Sequence, residues 1–457
     1  MKRISLAECL ASADDTKGMF VKEGALEEIP ALLGRYFAGD SGEIPPLFLA
    51  ADENTWRAAG EELERILRAS ALAVNGSYIF PAAGLHGDYA LVEKLAALMK
   101  ERRGNGNLVP VAIGAGTIND LVKCAAADCG LPYCCLPTAA SVDGYTAPGA
   151  ALLRNGFKQT VPCAAPRLVA ADTRVLANAP AFLSSSGYGD LAGKLIAGAD
   201  WIIADRLYAL DPSVPGLMPV NDRAWTMVQV PLREELAAAS GAAAGDKDAG
   251  GVLFEALGIT GFALQYMKDS RAVSGCEHMW AHVWEMENLR CRGETVTHGH
   301  KVVMGSLAAA AFFECLFSGD LPEEQKVPSA AEREAQVEAA FSDDPLAAEA
   351  AKKTALAKLL DGEKRRSFAA AIRSVWKELD GALKRQLPSY GELRDMFVKA
   401  RCPVLPQETG LSKKRIIASA RKAQMIRVRY SVLDLAFDLG VFDAILSRIE
   451  ESDVYLA

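Results

Sequence analysis

Short apolar runs alternate with stretches of helical spacing over the first 180 residues, and this alternation constrains the fold more than any other feature of the chain. Pro46-Leu-Phe-Leu-Ala50 leads into Trp56 to Ala71, which has helical spacing. Val109 to Ile113 leads, through Gly114-Ala-Gly116-Thr117, into Ile118 to Ala127. Tyr133 to Leu136 and Leu168 to Ala171 are two more such runs. The rhythm predicts a parallel sheet covered by helices. After about residue 181, Ala, Leu, Glu and Lys dominate and β-branched clusters thin out. Val252 to Met267, Glu277 to Arg290, Lys301 to Phe317, Ala347 to Leu360, Glu363 to Leu387 and Val432 to Glu451 read as helices, with Gly241 to Gly251 as a flexible loop. The expected organisation is an α/β domain over 1–180 followed by an all-α domain over 181–457.

Composition narrows the function classes. With 457 residues, 50% of them hydrophobic, the chain can bury large cores. Its net charge is −8 and no basic block interleaves with aromatics, so nucleic acid is not an expected partner. The 10 cysteines are scattered without a CxxC pair, which suits free thiols in a reducing cytosol. The N-terminus, MKRISLAECLASADD, lacks the long apolar core of a signal peptide. The greasiest segment, Met304 to Phe317, contains Glu314 and is too short to span a bilayer. The expectation is a cytoplasmic protein with no membrane span.

Three constellations carry chemistry. Gly114-Ala-Gly116-Thr117-Ile118-Asn119-Asp120 joins a strand to a helix. Two glycines admit a close ligand, and a helix N-terminus offers N–H groups and positive potential to a pyrophosphate. Asp52, ending an earlier strand, suits either a ribose hydroxyl or a helix cap. Thr138-Ala139-Ala140-Ser141-Val-Asp143 also follows a strand and faces the same kind of crevice. Four of the 5 histidines, His278, His282, His298 and His300, fall in one short stretch. His278 and His282 share a helix face at i and i+4, and His298 opens the next helix. With Asp190 from a third helix, His278 and His298 would make an N2O metal site open to water or substrate. Taken by themselves, Asp190 and Lys194, one turn apart, read better as a helix cap with an ion pair.

The wording of five motifs is similar to a known family. GAGTINDLVK (114–123), TAASVDGYTAPGAAL (138–152), GYGDLAGK (187–194), SGCEHMWAHVWEM (274–286) and HGHKVVMG (298–305) resemble sn-glycerol-1-phosphate dehydrogenases. These belong to the iron-containing alcohol dehydrogenase and dehydroquinate synthase-like superfamily. The resemblance runs from about Val21 to about Ala310. It implies a dehydroquinate synthase-like fold, with a Rossmann-like nucleotide-binding domain over 1–180 and a helical metal- and substrate-binding domain over 181–457. It implies NAD or NADP on Gly114, Gly116 to Asp120 and Thr138 to Ser141. It implies one divalent metal, usually zinc, with nickel or iron as alternatives, on Asp190, His278 and His298. Asp143, Lys158, Lys194, Arg271 and His282 would meet a phosphorylated substrate, with His282 and Asp190 catalytic. Arg271 offers a fork for phosphate.

The implied reaction is hydride transfer between NAD(P)H and dihydroxyacetone phosphate, giving sn-glycerol 1-phosphate, with His282 or metal-bound water supplying the proton. The alternatives are a polyol dehydrogenase acting on glycerol and a dehydroquinate synthase-like cyclase or lyase. The expected partners are a small phosphorylated triose or polyol and further copies of the chain in a homodimer or larger oligomer. Two departures stand out. Ala147 occupies a position where the family usually has Ser, and His300 replaces a Glu or other polar residue and is expected to face solvent.

Overall fold

The computed structural model describes residues 3–154, 157–319 and 326–456; the side chains of 157 and 158 lie outside that description. Contacts group the chain into two units: Met1–Leu191 with Thr226–Lys268, and Ala192–Trp225 with Asp269–Ala457.

The first unit is built on a parallel sheet. Its strands are β1 (Gly18–Lys22), β2 (Leu47–Asp52), β3 (Val74–Phe80), β4 (Val109–Gly114), β5 (Cys134–Pro137) and, after a hairpin of β6 (Ala150–Arg154) and β7 (Phe157–Val161), β8 (Leu168–Asp172). The sheet order is β1-β8-β5-β4-β2-β3, and every pairing within it is parallel. The four apolar runs are β2, β4, β5 and β8. β4, β5 and β8 are buried along their whole length, as strands covered on both faces must be. β1, β3 and the hairpin lie outside those four runs. β3 lies at the sheet edge and reads Val-Asn-Gly-Ser-Tyr-Ile-Phe, with every second residue half-buried and the others exposed until Phe80.

Helices α1 (Ala25–Phe37), α2 (Glu61–Ala69), α3 (Tyr89–Arg103) and α4 (Gly116–Asp128) connect these strands. On α1, Leu26, Ile29, Leu32, Leu33 and Phe37 recur at helical spacing and pack with Leu47, Leu49, Val111 and Leu136 of the sheet. α5 (Ala181–Tyr208) follows, then α6 (Leu232–Ala239) and α7 (Lys247–Met267). The segment Gly241 to Gly251, expected as a flexible loop, is ordered and partly helical. Asp246 caps α7 by accepting from the Asp248 and Ala249 N–H groups. A Cβ on Gly251 would lie 3.0 Å from Thr173 Cγ2, so this glycine allows close packing and not mobility.

The second unit is helical. α8 (Cys276–Met286) and α9 (His298–Phe317) are joined by a two-residue hairpin, β9 (Arg290–Cys291) and β10 (Glu294–Thr295). Arg292 and Gly293 turn it with φ of 51° and 87°, as a tight hairpin turn requires. α10 (Lys413–Met425) backs α8: Trp280 Nε1 donates to Ile416 O at 3.0 Å and Trp284 Nε1 to Ser419 Oγ at 2.9 Å. Two expected long helices are interrupted. Glu363 to Leu387 divides into Gly362–Ser374 and Trp376–Gln386. Val432 to Glu451 divides into Val432–Asp438 and Phe442–Glu451, where Gly440 takes φ 71°. α9 is longer than the apolar core from Met304 suggested, and its 20 residues reach the length and hydropathy of a membrane span. However, 83% of its apolar window is buried, as in the core helix of a globular unit.

Candidate active site

The sheet order fixes where a ligand sits in the first unit. From β2 the chain proceeds to β3 on one side, and from β4 to β5 on the other, while β2 and β4 are neighbours. Their carboxyl ends flank the topological switch point, the usual ligand crevice of an open parallel sheet. Asp52 ends β2, and Gly114 ends β4 two residues before α4. A Cβ on Gly114 would lie 2.5 Å from Ile118 Cβ, so the turn demands glycine. The N-cap of α4 is Ala115, which makes no side-chain cap bond, and such an end suits an anion.

The side chains around this turn are otherwise committed. Asp52 caps its own short helix, accepting from Asn54 N at 2.8 Å and Thr55 N at 3.0 Å. Ile118 is buried. Asn119 is also buried, and its Oδ1 accepts from the Tyr133 hydroxyl at 2.9 Å. Asp120 Oδ2 accepts from Ala151 N at 3.1 Å. Contact with a nucleotide at 116–120 would therefore come through main-chain N–H groups and Thr117. Lys123, which the sequence did not mark out, is fully enclosed. Its ammonium donates to the carbonyls of Gly144 (2.8 Å), Ala147 (3.0 Å) and Gly149 (2.9 Å), so one side chain shapes the loop after β5.

That loop carries Thr138, Ala139, Ala140, Ser141 and Asp143. The first four are buried. Ala139 O accepts from Tyr145 Oη at 2.6 Å, and Ser141 O accepts from Ser186 Oγ on α5 at 3.2 Å. A Cβ on Gly187 would lie 1.9 Å from Ala140 O, which explains the glycine of the GYGD segment. The Asp143 N–H donates to Asp190 Oδ2 at 2.9 Å and ties the loop to the carboxylate on α5. Thr146, beside Ala147, is fully buried and donates to Gly258 O of α7 at 2.7 Å.

Asp190, His278 and His298 each offer one ligand atom, all within 4.8 Å of one another. Asp190 is fully buried and His278 nearly so. A buried carboxylate is stable only when paired, hydrogen-bonded or bound to a cation. Each imidazole is backed by a carboxylate: His278 Nδ1 donates to Glu277 Oε1 at 2.5 Å and His298 Nδ1 to Glu285 Oε1 at 2.8 Å. Such backing leaves Nε2 as the ligand atom, the common arrangement behind metal-binding histidines. The donor set, two imidazoles and one carboxylate, fits a divalent ion. The His282 ring centroid is 6.2 Å from both the His278 and His298 rings. Burial pushes His282 down to about 4, against the opposing pull of Glu285, so it is neutral at pH 7.

The remaining expected residues are placed as follows. Lys194 is fully buried on α5, one turn after Asp190. Arg271 is buried, with Nε 3.3 Å from Asp269 Oδ1 and Nη1 donating to Gly216 O at 3.2 Å. Lys158 lies on β7 opposite Leu153, and its side chain lies outside the described residues. His300, expected to face solvent, is half-buried because it lies in the first turn of α9, and that burial lowers it to about 4. Sequence reasoning missed Lys123, Glu277 and Glu285 as structural partners. Glu285 lies one helical turn after His282, and that i,i+3 spacing was the available signal.

The profile of the iron-containing alcohol dehydrogenase family matches residues 20–180, which hold the parallel sheet and the glycine turn. A glycerol-1-phosphate dehydrogenase [NAD(P)+] of Bacillus velezensis is 37% identical over 258 residues, 56% of this chain and 62% of the relative. A protein of the same name from Bacillus licheniformis is 32% identical over 285 residues, 62% of this chain and 68% of the relative. The chain belongs to the glycerol-1-phosphate dehydrogenase family, although the match spans less than two thirds of the Bacillus velezensis protein. In fold it is similar to a crystal structure of a probable glycerol dehydrogenase from Sinorhizobium meliloti. That likeness has a TM-score of 0.57 at 15% identity, and covers 95% of this chain and 98% of the other.

Proposed function

We propose that this chain is a metal-dependent, NAD(P)-linked oxidoreductase that interconverts dihydroxyacetone phosphate and sn-glycerol 1-phosphate in the cytoplasm. The observation that carries the reading is the gathering of Asp190, His278 and His298 ligand atoms within 4.8 Å. Relatives named for this activity, at 37% and 32% identity, support the substrate.

In this reading Asp190, His278 and His298 hold a divalent ion, zinc first among candidates, which supplies Lewis-acid polarisation of the substrate carbonyl. The nicotinamide supplies or receives the hydride. The chain does the rest. Gly114, Gly116 and the first-turn N–H groups of α4 cradle the pyrophosphate, with Thr138 to Ser141 as the other wall. Asp52, whose Oδ1 alone takes the two cap bonds, accepts from a ribose hydroxyl through Oδ2. Asp143 orients the polyol, while Lys158, Lys194 and Arg271 supply positive charge for the phosphate. His282, neutral at working pH, exchanges a proton with the C2 oxygen.

The test is a substrate panel on purified protein stripped by a chelator and reloaded with zinc, nickel or iron. Absorbance of NADH or NADPH is followed with dihydroxyacetone phosphate, sn-glycerol 1-phosphate, its enantiomer sn-glycerol 3-phosphate and free glycerol. Metal-dependent turnover of the phosphorylated pair is the expected result. Faster turnover of free glycerol, or turnover indifferent to metal, overturns it.

A further inference from the structure

Glu285 lies on α8, one turn after His282, and its side chain is 7% exposed. Its two carboxylate oxygens face two different imidazoles. Oε2 is 3.1 Å from His282 Nδ1, and Oε1 is 2.8 Å from His298 Nδ1. The ammonium of Lys301, a buried residue on α9, is 3.6 Å from Oε1 and balances the charge. An ionised carboxylate can only accept, so both rings must carry their proton on Nδ1. In a neutral ring held this way, Nε2 is then the lone-pair atom.

The geometry points to Glu285 as a positioning residue that fixes two histidines of different duty with one side chain. His298 is the ring read above as a metal ligand, and His282 the ring read as the proton carrier; the assignment of those duties rests on the proposed function. A neutral imidazole presents one lone pair, and the hydrogen bond on its other nitrogen decides which. With Glu285 in place, neither ring can swap tautomer without losing a charge-assisted bond to a carboxylate that is itself buried. One carboxylate thus sets the Nε2 lone pair of His298 for a cation and that of His282 for a substrate oxygen. Glu277 serves only one ring, His278, through its 2.5 Å contact. Glu285 differs in joining a ligand to a residue that is not one.

The chain's 5 histidines make the test tractable. Long-range proton–nitrogen NMR on ¹⁵N-histidine-labelled, metal-free protein reads each tautomer, and single His→Gln variants assign the signals. In the unmodified protein, His282 and His298 are both expected as the Nδ1–H form. Either ring found protonated on Nε2 alone overturns the assignment without any variant being made. Glu285→Gln offers one carbonyl acceptor and one amide donor, so at least one ring is expected to move to the Nε2–H form. Zinc affinity, read by competition with a chromophoric chelator, is expected to fall about tenfold or more. Unchanged tautomers together with unchanged zinc affinity in a folded Glu285→Gln protein also overturn it. The tautomer measurement is made without metal or substrate. It therefore decides the role of Glu285 even where the substrate panel fails.

Discussion

At the scale of single residues, Lys123 does more than its place in the sequence suggests. A fully enclosed ammonium with three carbonyl acceptors at 2.8 to 3.0 Å holds the chain from Gly144 to Gly149. Replacing it by Met orphans three carbonyls, each costing about 1–3 kcal/mol when buried and unpaired. Lys123→Met is expected to lose about 3 kcal/mol in urea denaturation, and Lys123→Arg to recover little, because a guanidinium is too large for the enclosure. A loss below about 1 kcal/mol contradicts this account. His278 and His298 stood out in the sequence because histidine is scarce, 5 in 457 residues, and four of the 5 fall together. Lys123 and Glu285 did not. Lys and Glu are common on helices, and only tertiary pairing with a loop 21 to 26 residues away, or with the next helix, reveals their work.

At the scale of elements, the contact of α8 with α9 sets the spacing of His278 and His298. Gly305 makes that contact possible: a Cβ there would lie 2.2 Å from Glu277 O, a main-chain atom that cannot step aside. Gly305→Ala is expected to cost about 1–3 kcal/mol by overpacking. It should also weaken zinc binding, because the helices must part. Chelator competition and urea denaturation on the same sample check both effects; zinc affinity left intact alongside lost stability would separate helix packing from ligand geometry. Element identity was readable wherever burial was uniform, as in β2, β4, β5 and β8. It failed for edge strand β3, whose polar Asn75, Gly76 and Ser77 carry no apolar run. It failed again at Val375 and Leu439–Val441, where helical periodicity continues through a break set by local backbone and packing.

At the scale of the whole molecule, acidic groups set the pH response. Glu235 on α6 is nearly buried, and burial raises it to about 7, although Arg3 at 3.3 Å pulls the other way. An unfolded glutamate titrates near 4.3. Its folded value lies above that, so its contribution is fully present below pH ~4 and is lost as pH rises through about 7. Glu235→Gln is expected to remove this slope and gain on the order of 2 kcal/mol at pH 8. Melting temperatures of both proteins between pH 5 and 8 check it, and parallel curves would contradict it. The layered α/β beginning and helical remainder were legible in the sequence. The grouping of Thr226–Lys268 with the N-terminal unit was not, because a helix's composition does not say which sheet it will cover.

Helix α9 carries a consequence for biosynthesis. Its 20 residues have the hydropathy by which membrane-insertion machinery selects its clients, and 83% of the apolar window is hidden only once its neighbours have assembled. Its most extensive packing is against Cys276–Met286, made just before it, but the cover from Tyr390–Lys399 and Phe442–Glu451 leaves the ribosome roughly 70 to 130 residues later. A nascent chain therefore shows this greasy rod to the cell for several seconds before it can be wrapped. Freshly made protein depends on the pace of synthesis and on chaperone supply to escape aggregation, whatever the finished molecule's stability.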